Sequence, residues 1–157
     1  MMLRKLHREF IDLQKNQEQY NDLFKTSPKK EKNLQPDGSF EEEYIYKTWT
    51  AVIYGPVNTP YVGKKFNVLM NFPDAYPYEP PEVKFISRIY HPNISLTGDV
   101  CIDILKQNWS AALSIEKILL SIISLLAAPN ASDPLNQEAG KTYLENIESF
   151  NKKAQAF

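Results

Sequence analysis

The stretch FNVLMNFPDAYPYEPPEVKF, residues Phe66 to Phe85, decides how the middle of the chain is built. Phe66, Val68, Met70 and Phe72 fall on one side and Asn67, Leu69 and Asn71 on the other, the two-residue alternation of a strand with one buried face. Pro73, Pro77, Pro80 and Pro81, with Pro92 further on, then remove backbone donors at short intervals. That forbids helix and leaves extended loop and edge strand, with room for one short strand from Glu82 to Ser87. Tyr76-Pro77 is an aromatic-proline step and so a candidate cis bond.

Upstream, Tyr44, Tyr46, Thr48, Thr50 and Val52 alternate with β-branched and aromatic character before Gly55-Pro56 forces a turn, which makes a preceding antiparallel strand. Before it, SPKKEKNLQPDGSFEEE at residues 27–43 is polar throughout and reads as a solvated loop. Leu3, Leu6, Phe10, Leu13, Tyr20 and Phe24 recur at helical spacing, with Arg4, Lys5, Arg8, Asp12 and Lys15 on other faces, so the chain should open with an amphipathic helix. Downstream, Ser114 is a plausible N-cap, with Glu116 in the first turn, for a helix to about Ala127 that is apolar nearly all round and expected to be buried. Asp133-Pro134 should open the next helix. A last helical stretch holds Ile147, Phe150 and Ala154 and is expected to be cut short at the C-terminus. Helix, strands, then helices give an α+β fold in one domain, residues 1–157.

A chain of 157 residues that is 43% hydrophobic and 12% aromatic can bury one sizeable core. Eighteen basic and nineteen acidic side chains, net −1, give no global field to draw in a nucleic-acid backbone or an anionic membrane, so neither is an expected partner. The apolar run Ile118 to Ala128 is short of the roughly 20 residues a bilayer needs. With two histidines and one cysteine, a nitrogen and sulfur zinc site would need carboxylates at most positions, so no metal is expected. A single cysteine and a charged N-terminus fit a cytosolic or nuclear protein.

The chemistry concentrates in HPNISLTGDVCIDILKQNWS, His91 to Ser110. Cys101 is in an irregular stretch between Val100 and Ile102, with Asp99 and Asp103 nearby. A lone cysteine is more often a small buried apolar group than a nucleophile. A cysteine hydrolase would need a histidine base beside the thiol, and only His7 and His91 exist. His7 falls on the first helix, and His91 precedes a proline that holds it extended, better placed to cap a turn. The two aspartates disfavour a standing thiolate. Such a thiol suits exchange with an already activated acyl thioester, a carrier rather than a hydrolase.

With these residues in view, the chain resembles the ubiquitin-conjugating enzyme family from end to end. The motifs are Gly55-Pro56, Thr59-Pro60-Tyr61, FPDAYPYEPPEVKF, and His91-Pro92-Asn93 eight residues before Cys101. Ile102-Asp103-Ile104-Leu105, Trp109-Ser110, Pro129-Asn130 and Asp133-Pro134-Leu135 follow in order. Each is weak alone; the ordered set is specific. The resemblance implies the UBC fold, with an N-terminal helix, a four-stranded antiparallel sheet, a central helix and C-terminal helices. It implies that Cys101 accepts a tag's C-terminal acyl group from an activating enzyme and passes it to a lysine amine. Asn93 would donate to the oxyanion or brace the loop that does so, and Asp103 and Asp133 would receive the attacking amine. His91, Pro92, Trp109 and Asn130 would be structural members of the motifs.

The same resemblance implies a surface for the activating enzyme and for RING- or HECT-type ligases, made by Arg4, Lys5 and Arg8 with Tyr78, Asn108, Ala111 and Ala112. No cofactor is implied, because ATP is consumed by the activating enzyme. Asp103, where SUMO-type members carry an aromatic residue, leans the tag towards ubiquitin. Pro134-Leu135-Asn136 and Glu138-Ala139 also resemble the branch that carries a NEDD8-like modifier. Non-catalytic variants of the fold lack the cysteine. Ala111, where many members have proline, and Ala128, where an acidic residue is frequent, depart from the pattern, so ligase preference does not transfer.

Overall fold

The computed structural model describes residues 1–157. Helix α1 (Met2–Lys15) and a single turn, α2 (Gln17–Tyr20), lead into four strands, β1 (Phe24–Leu34), β2 (Phe40–Tyr54), β3 (Lys65–Asn71) and β4 (Glu82–Phe85). These pair antiparallel in the order β1-β2-β3-β4. Helices α3 (Ile115–Ala127), α4 (Gln137–Glu145) and α5 (Ile147–Ala156) complete the chain. This is the α+β meander the sequence pattern and the family resemblance imply. No helix is long and apolar enough to cross a membrane.

One hydrophobic cluster joins the sheet to the helices. Trp49, Ala51 and Ile53 of β2, Phe66, Val68 and Met70 of β3, and Val83 and Phe85 of β4 are all buried, together with Ile115, Ile118, Leu119, Ile122 and Leu126 of α3. At roughly 1.5–3 kcal/mol for each fully buried aliphatic side chain, α3 is held far more by this packing than by its N-cap, where the Ser114 hydroxyl accepts from the Lys117 N–H and contributes about 1 kcal/mol. Helix α1 buries Met2, Leu6, Phe10 and Leu13 in the same cluster. The Phe10 ring meets Tyr44 and Trp49 edge-on at 5.1 and 5.8 Å.

Several expectations need correction. Residues 27–43 are a long β-hairpin, with β1 facing β2 as far as the pair Leu34↔Phe40. Its turn is closed by Asp37, whose carboxylate accepts from the Ser39 N–H, and by Gly38 at φ +85°. The register shifts after Pro28, where Pro28 faces Trp49 but Lys29 faces Ile45. That bulge exchanges the two faces of β2, so Tyr44 and Tyr46 lie against α1 while the core-facing set beyond the bulge is Trp49, Ala51 and Ile53. Thr50 is therefore exposed and Thr48 half-buried. The first helix stops at Lys15, with Leu3 on its exposed side and Phe24 already in β1. Helix α3 is buried on one face only, with Lys117 and Ser124 open to solvent. Asp133-Pro134 precedes α4 without starting it, because the Asn136 side chain caps that helix by accepting from the Ala139 N–H. Ile147 is half exposed, and Phe150 and Ala154 carry the packing of α5. Tyr76-Pro77 is cis.

Candidate active site

Cys101 lies between two backbone anchors. Its N–H donates to the Asn93 carbonyl at 2.9 Å, and Val100 bridges to Ile94. Behind it, the turn Ser95–Asp99 lies against β4, where the Phe85 N–H donates to the Gly98 carbonyl. Gly98 is required there. Its φ is +93°, and a Cβ would stand 2.0 Å from the Phe85 carbonyl oxygen.

The His91-Pro92-Asn93 segment clamps this loop to the chain beyond α3. His91 is fully buried; its Nδ1 accepts from the Asn93 N–H, so Nε2 carries the proton and donates to the Leu125 carbonyl at 2.8 Å. Burial pushes its pKa down to about 4, against a smaller opposing pull from the Leu125 carbonyl. Its ring is 5.9 Å from that of Tyr61, whose hydroxyl donates to the Tyr90 carbonyl. The Pro92 carbonyl accepts from the N–H groups of Leu135 and Asn136. Asn93, 2% exposed, makes a two-way amide pair with the Asn130 backbone, donating to its carbonyl and accepting from its N–H, each at 2.8 Å. Asn93 thus braces the 129–131 segment, one of the two roles its motif implied. Its second amide proton meets no protein acceptor.

Asn93, Cys101, Asp103, Asn130 and Asp133 line one open cleft of about 410 Å³, which they share with Lys106 and Gln107. Cys101 is half-buried on its wall and free of any disulfide. All four residues implied as catalytic are therefore brought together. Asp103 and Asp133 are both exposed, and the Asp103 carboxylate accepts from the Asn108 side chain at 2.9 Å. Asp99 does not face the thiol as the sequence suggested; its carboxylate is held by the Ser95 and Thr97 hydroxyls and is 3.8 Å from the Lys84 amine. A cation stands beside the sulfur instead, the Lys106 ammonium, 3.5 Å from Sγ. Sequence reading missed it. No sequence spacing announces it: a 3-10 turn over Asp103–Leu105 folds the chain back so that residue 106 returns to residue 101.

No histidine serves the sulfur, since both His91 nitrogens are committed and His7 stands edge-on to Tyr46. The sulfur thus lacks the neighbouring histidine base that a cysteine hydrolase needs.

The residues implied as a partner surface meet at one end of the molecule. Arg4, Arg8, Tyr78, Asn108, Ala111 and Ala112 are exposed, and Tyr78 shares a hollow with Met1, Met2 and Leu3. Trp109, half-buried, ties the two loops by donating to the Pro77 carbonyl at 2.9 Å. Lys5 is only partly exposed. Its amine donates to the Leu113 carbonyl, lies 3.9 Å from Glu9 and sits over the Tyr76 ring, so it braces this end from within.

Residues 6–157 match the family model described as ubiquitin-conjugating enzyme. The chain is 49% identical over 113 residues to an Arabidopsis thaliana protein described as probable ubiquitin-conjugating enzyme E2 31, spanning 72% of this chain and 73% of that one. Among solved structures it is similar to the E2 domain of a Toxoplasma gondii ubiquitin conjugating enzyme, with a TM-score of 0.81, 35% identity, and coverage of 99% of this chain and 95% of that domain. Sequence, fold and cleft agree: the chain belongs to the ubiquitin-conjugating enzyme family.

Proposed function

We propose that this protein is a ubiquitin-carrying transferase that takes ubiquitin from an activating enzyme as a thioester on Cys101 and delivers it, with a RING- or HECT-type ligase, to a lysine of a substrate protein. The observation that carries this reading is the half-exposed Cys101 sulfur in a cleft shared with Asn93, Asp103 and Asp133. In transthiolation the Cys101 sulfur attacks the incoming thioester carbonyl and the donor thiol leaves. In aminolysis a neutral lysine amine attacks the new thioester, and Asp103 and Asp133 take up its proton at the rim. Asn93 presents its unused amide proton to the oxyanion, a contribution of about 3 kcal/mol in a preorganised site. Arg4, Arg8 and Tyr78, with the Asn108 to Ala112 loop, receive the activating enzyme and the ligase. The domain needs no cofactor of its own and works in the cytoplasm or nucleus.

The test is a charging assay with activating enzyme, ATP and ubiquitin. The wild type forms a reductant-sensitive adduct, Cys101→Ala forms none, and Cys101→Lys forms a reductant-resistant one. Asn93→Ala still charges but discharges to free lysine roughly 100-fold more slowly; equal loss of both steps would reduce Asn93 to its brace. A parallel reaction with a NEDD8-like modifier and its own activating enzyme tells whether the tag is ubiquitin.

A further inference from the structure

Of the two carboxylates that line the cleft, Asp103 is tethered from behind. The Asn108 Nδ2 donates to Asp103 Oδ2 at 2.9 Å, and the Asn108 N–H donates to the Asp103 carbonyl at 3.0 Å. One residue thus grips both the side chain and the main chain of the other. A carboxylate only accepts, so the amide must present its nitrogen here. The grip has a rigid footing. The Lys106 N–H also donates to the Asp103 carbonyl, closing the 3-10 turn Asp103–Leu105. On the other side of Asn108 stands Trp109, whose half-buried indole donates to the Pro77 carbonyl at 2.9 Å. Asn108 is exposed and lies behind the cleft rather than on its wall, so it meets neither the sulfur nor an arriving amine. An exposed aspartate with no tether turns freely about its side-chain torsions, and ordering it costs entropy each time a ligand arrives. The Asn108 amide occupies Oδ2 and leaves Oδ1 for a ligand.

We infer that Asn108 is a positioning residue for the amine-transfer step, holding the Asp103 carboxylate at the cleft so that Oδ1 meets the ammonium of an arriving lysine. The inference rests on the acyl-carrier reading of Cys101. In the step, the lysine ammonium gives one proton to Asp103, which passes it to solvent, and the neutral amine adds to the thioester carbonyl. A C–N bond forms and the C–S bond breaks. The second amine proton leaves as the tetrahedral intermediate collapses, and the departing Cys101 thiolate takes up one proton. The products are an amide on the lysine and a free thiol, with one proton released overall. Asn108 takes part in none of these bonds. Its contribution is placement, and in steps of this kind a displacement of about 1 Å can cost roughly 100-fold in rate.

The experiment charges the protein with activating enzyme, ATP and ubiquitin and stops charging by chelating magnesium. Loss of the reductant-sensitive adduct is then followed with free lysine or with hydroxylamine. Hydroxylamine is already uncharged near neutral pH and brings no ammonium for a carboxylate to meet, so it reads the thioester and the fold without Asp103. In Asn108→Ala, discharge to lysine should slow about tenfold, while discharge to hydroxylamine stays within about twofold of wild type. Added to Asp103→Asn, the same change should slow lysine discharge by less than about twofold further, because the group it positions is already gone. Equal slowing with both nucleophiles, an unchanged lysine rate, or losses that multiply in the double variant each overturn this inference and leave the carrier reading standing. Failure of the wild type to form any reductant-sensitive adduct takes down both.

Discussion

At the scale of single residues, His91 carries the clearest consequence. The unfolded chain binds its proton near the ordinary histidine value of 6.5, while the folded chain refuses it until about pH 4. Between those values the unfolded state holds more protons, so stability is fully present above 6.5 and is lost as pH falls through the window. Glu9 works in the opposite sense, since burial raises its carboxyl and its contribution fades as pH rises. Urea unfolding should show a loss of roughly 2 kcal/mol from His91 between pH 7.5 and 5.0, at about 1.4 kcal/mol for each unit titrated. His91→Gln should be weaker at pH 7.5 and lack that part of the slope; an unchanged slope would remove His91 as its source. Asn93 and Cys101 were legible in the sequence because ordered motifs surround them. The approach of Lys106 to the sulfur was not, because it depends on a turn that no periodicity announces.

At the scale of elements, the legible parts were those with one apolar face. The alternation in β3 and the capped apolar run of α3 each name their own burial. The outer half of the β1–β2 hairpin hid itself, because every residue from Lys29 to Glu43 except the half-buried Gln35 is exposed. Its pairing is held by backbone bonds and by cross-strand charges such as Lys30 with Glu42, which leave no hydrophobic signature. The bulge at Pro28 then moved the inward positions of β2 by one parity, which spacing alone could not reveal. The Ser95–Asp99 turn is the element on which the site depends most. Gly98→Ala forces a side chain into a positive-φ position and against the Phe85 carbonyl, and should cost at least about 2 kcal/mol, read as a lowered denaturation midpoint. A variant as stable as wild type would mean that β4 and the turn can separate freely.

At the scale of the whole molecule, Glu9 joins three parts that are distant in sequence. Its carboxylate accepts from the Tyr76 hydroxyl and from the Ile115 N–H, so α1, the proline-rich loop and the start of α3 share one buried acceptor. Glu9→Ala leaves both donors without a partner and should cost about 3 kcal/mol, or roughly 6–12 °C in melting temperature for a chain of this size. Glu9→Gln keeps one acceptor oxygen and should lose less than half of that; equal losses would point to packing instead of hydrogen bonding.

The clamp around Cys101 also has a meaning during synthesis. Its wall is assembled from residues 91–94, 99–103 and 129–136, and the last of these supplies the Asn130 and Asn136 bonds to the histidine-proline-asparagine segment. A nascent chain emerging from the ribosome displays its sulfur some thirty residues before that wall exists. The cleft around the sulfur is therefore a property of the finished polypeptide and of no shorter stretch of it.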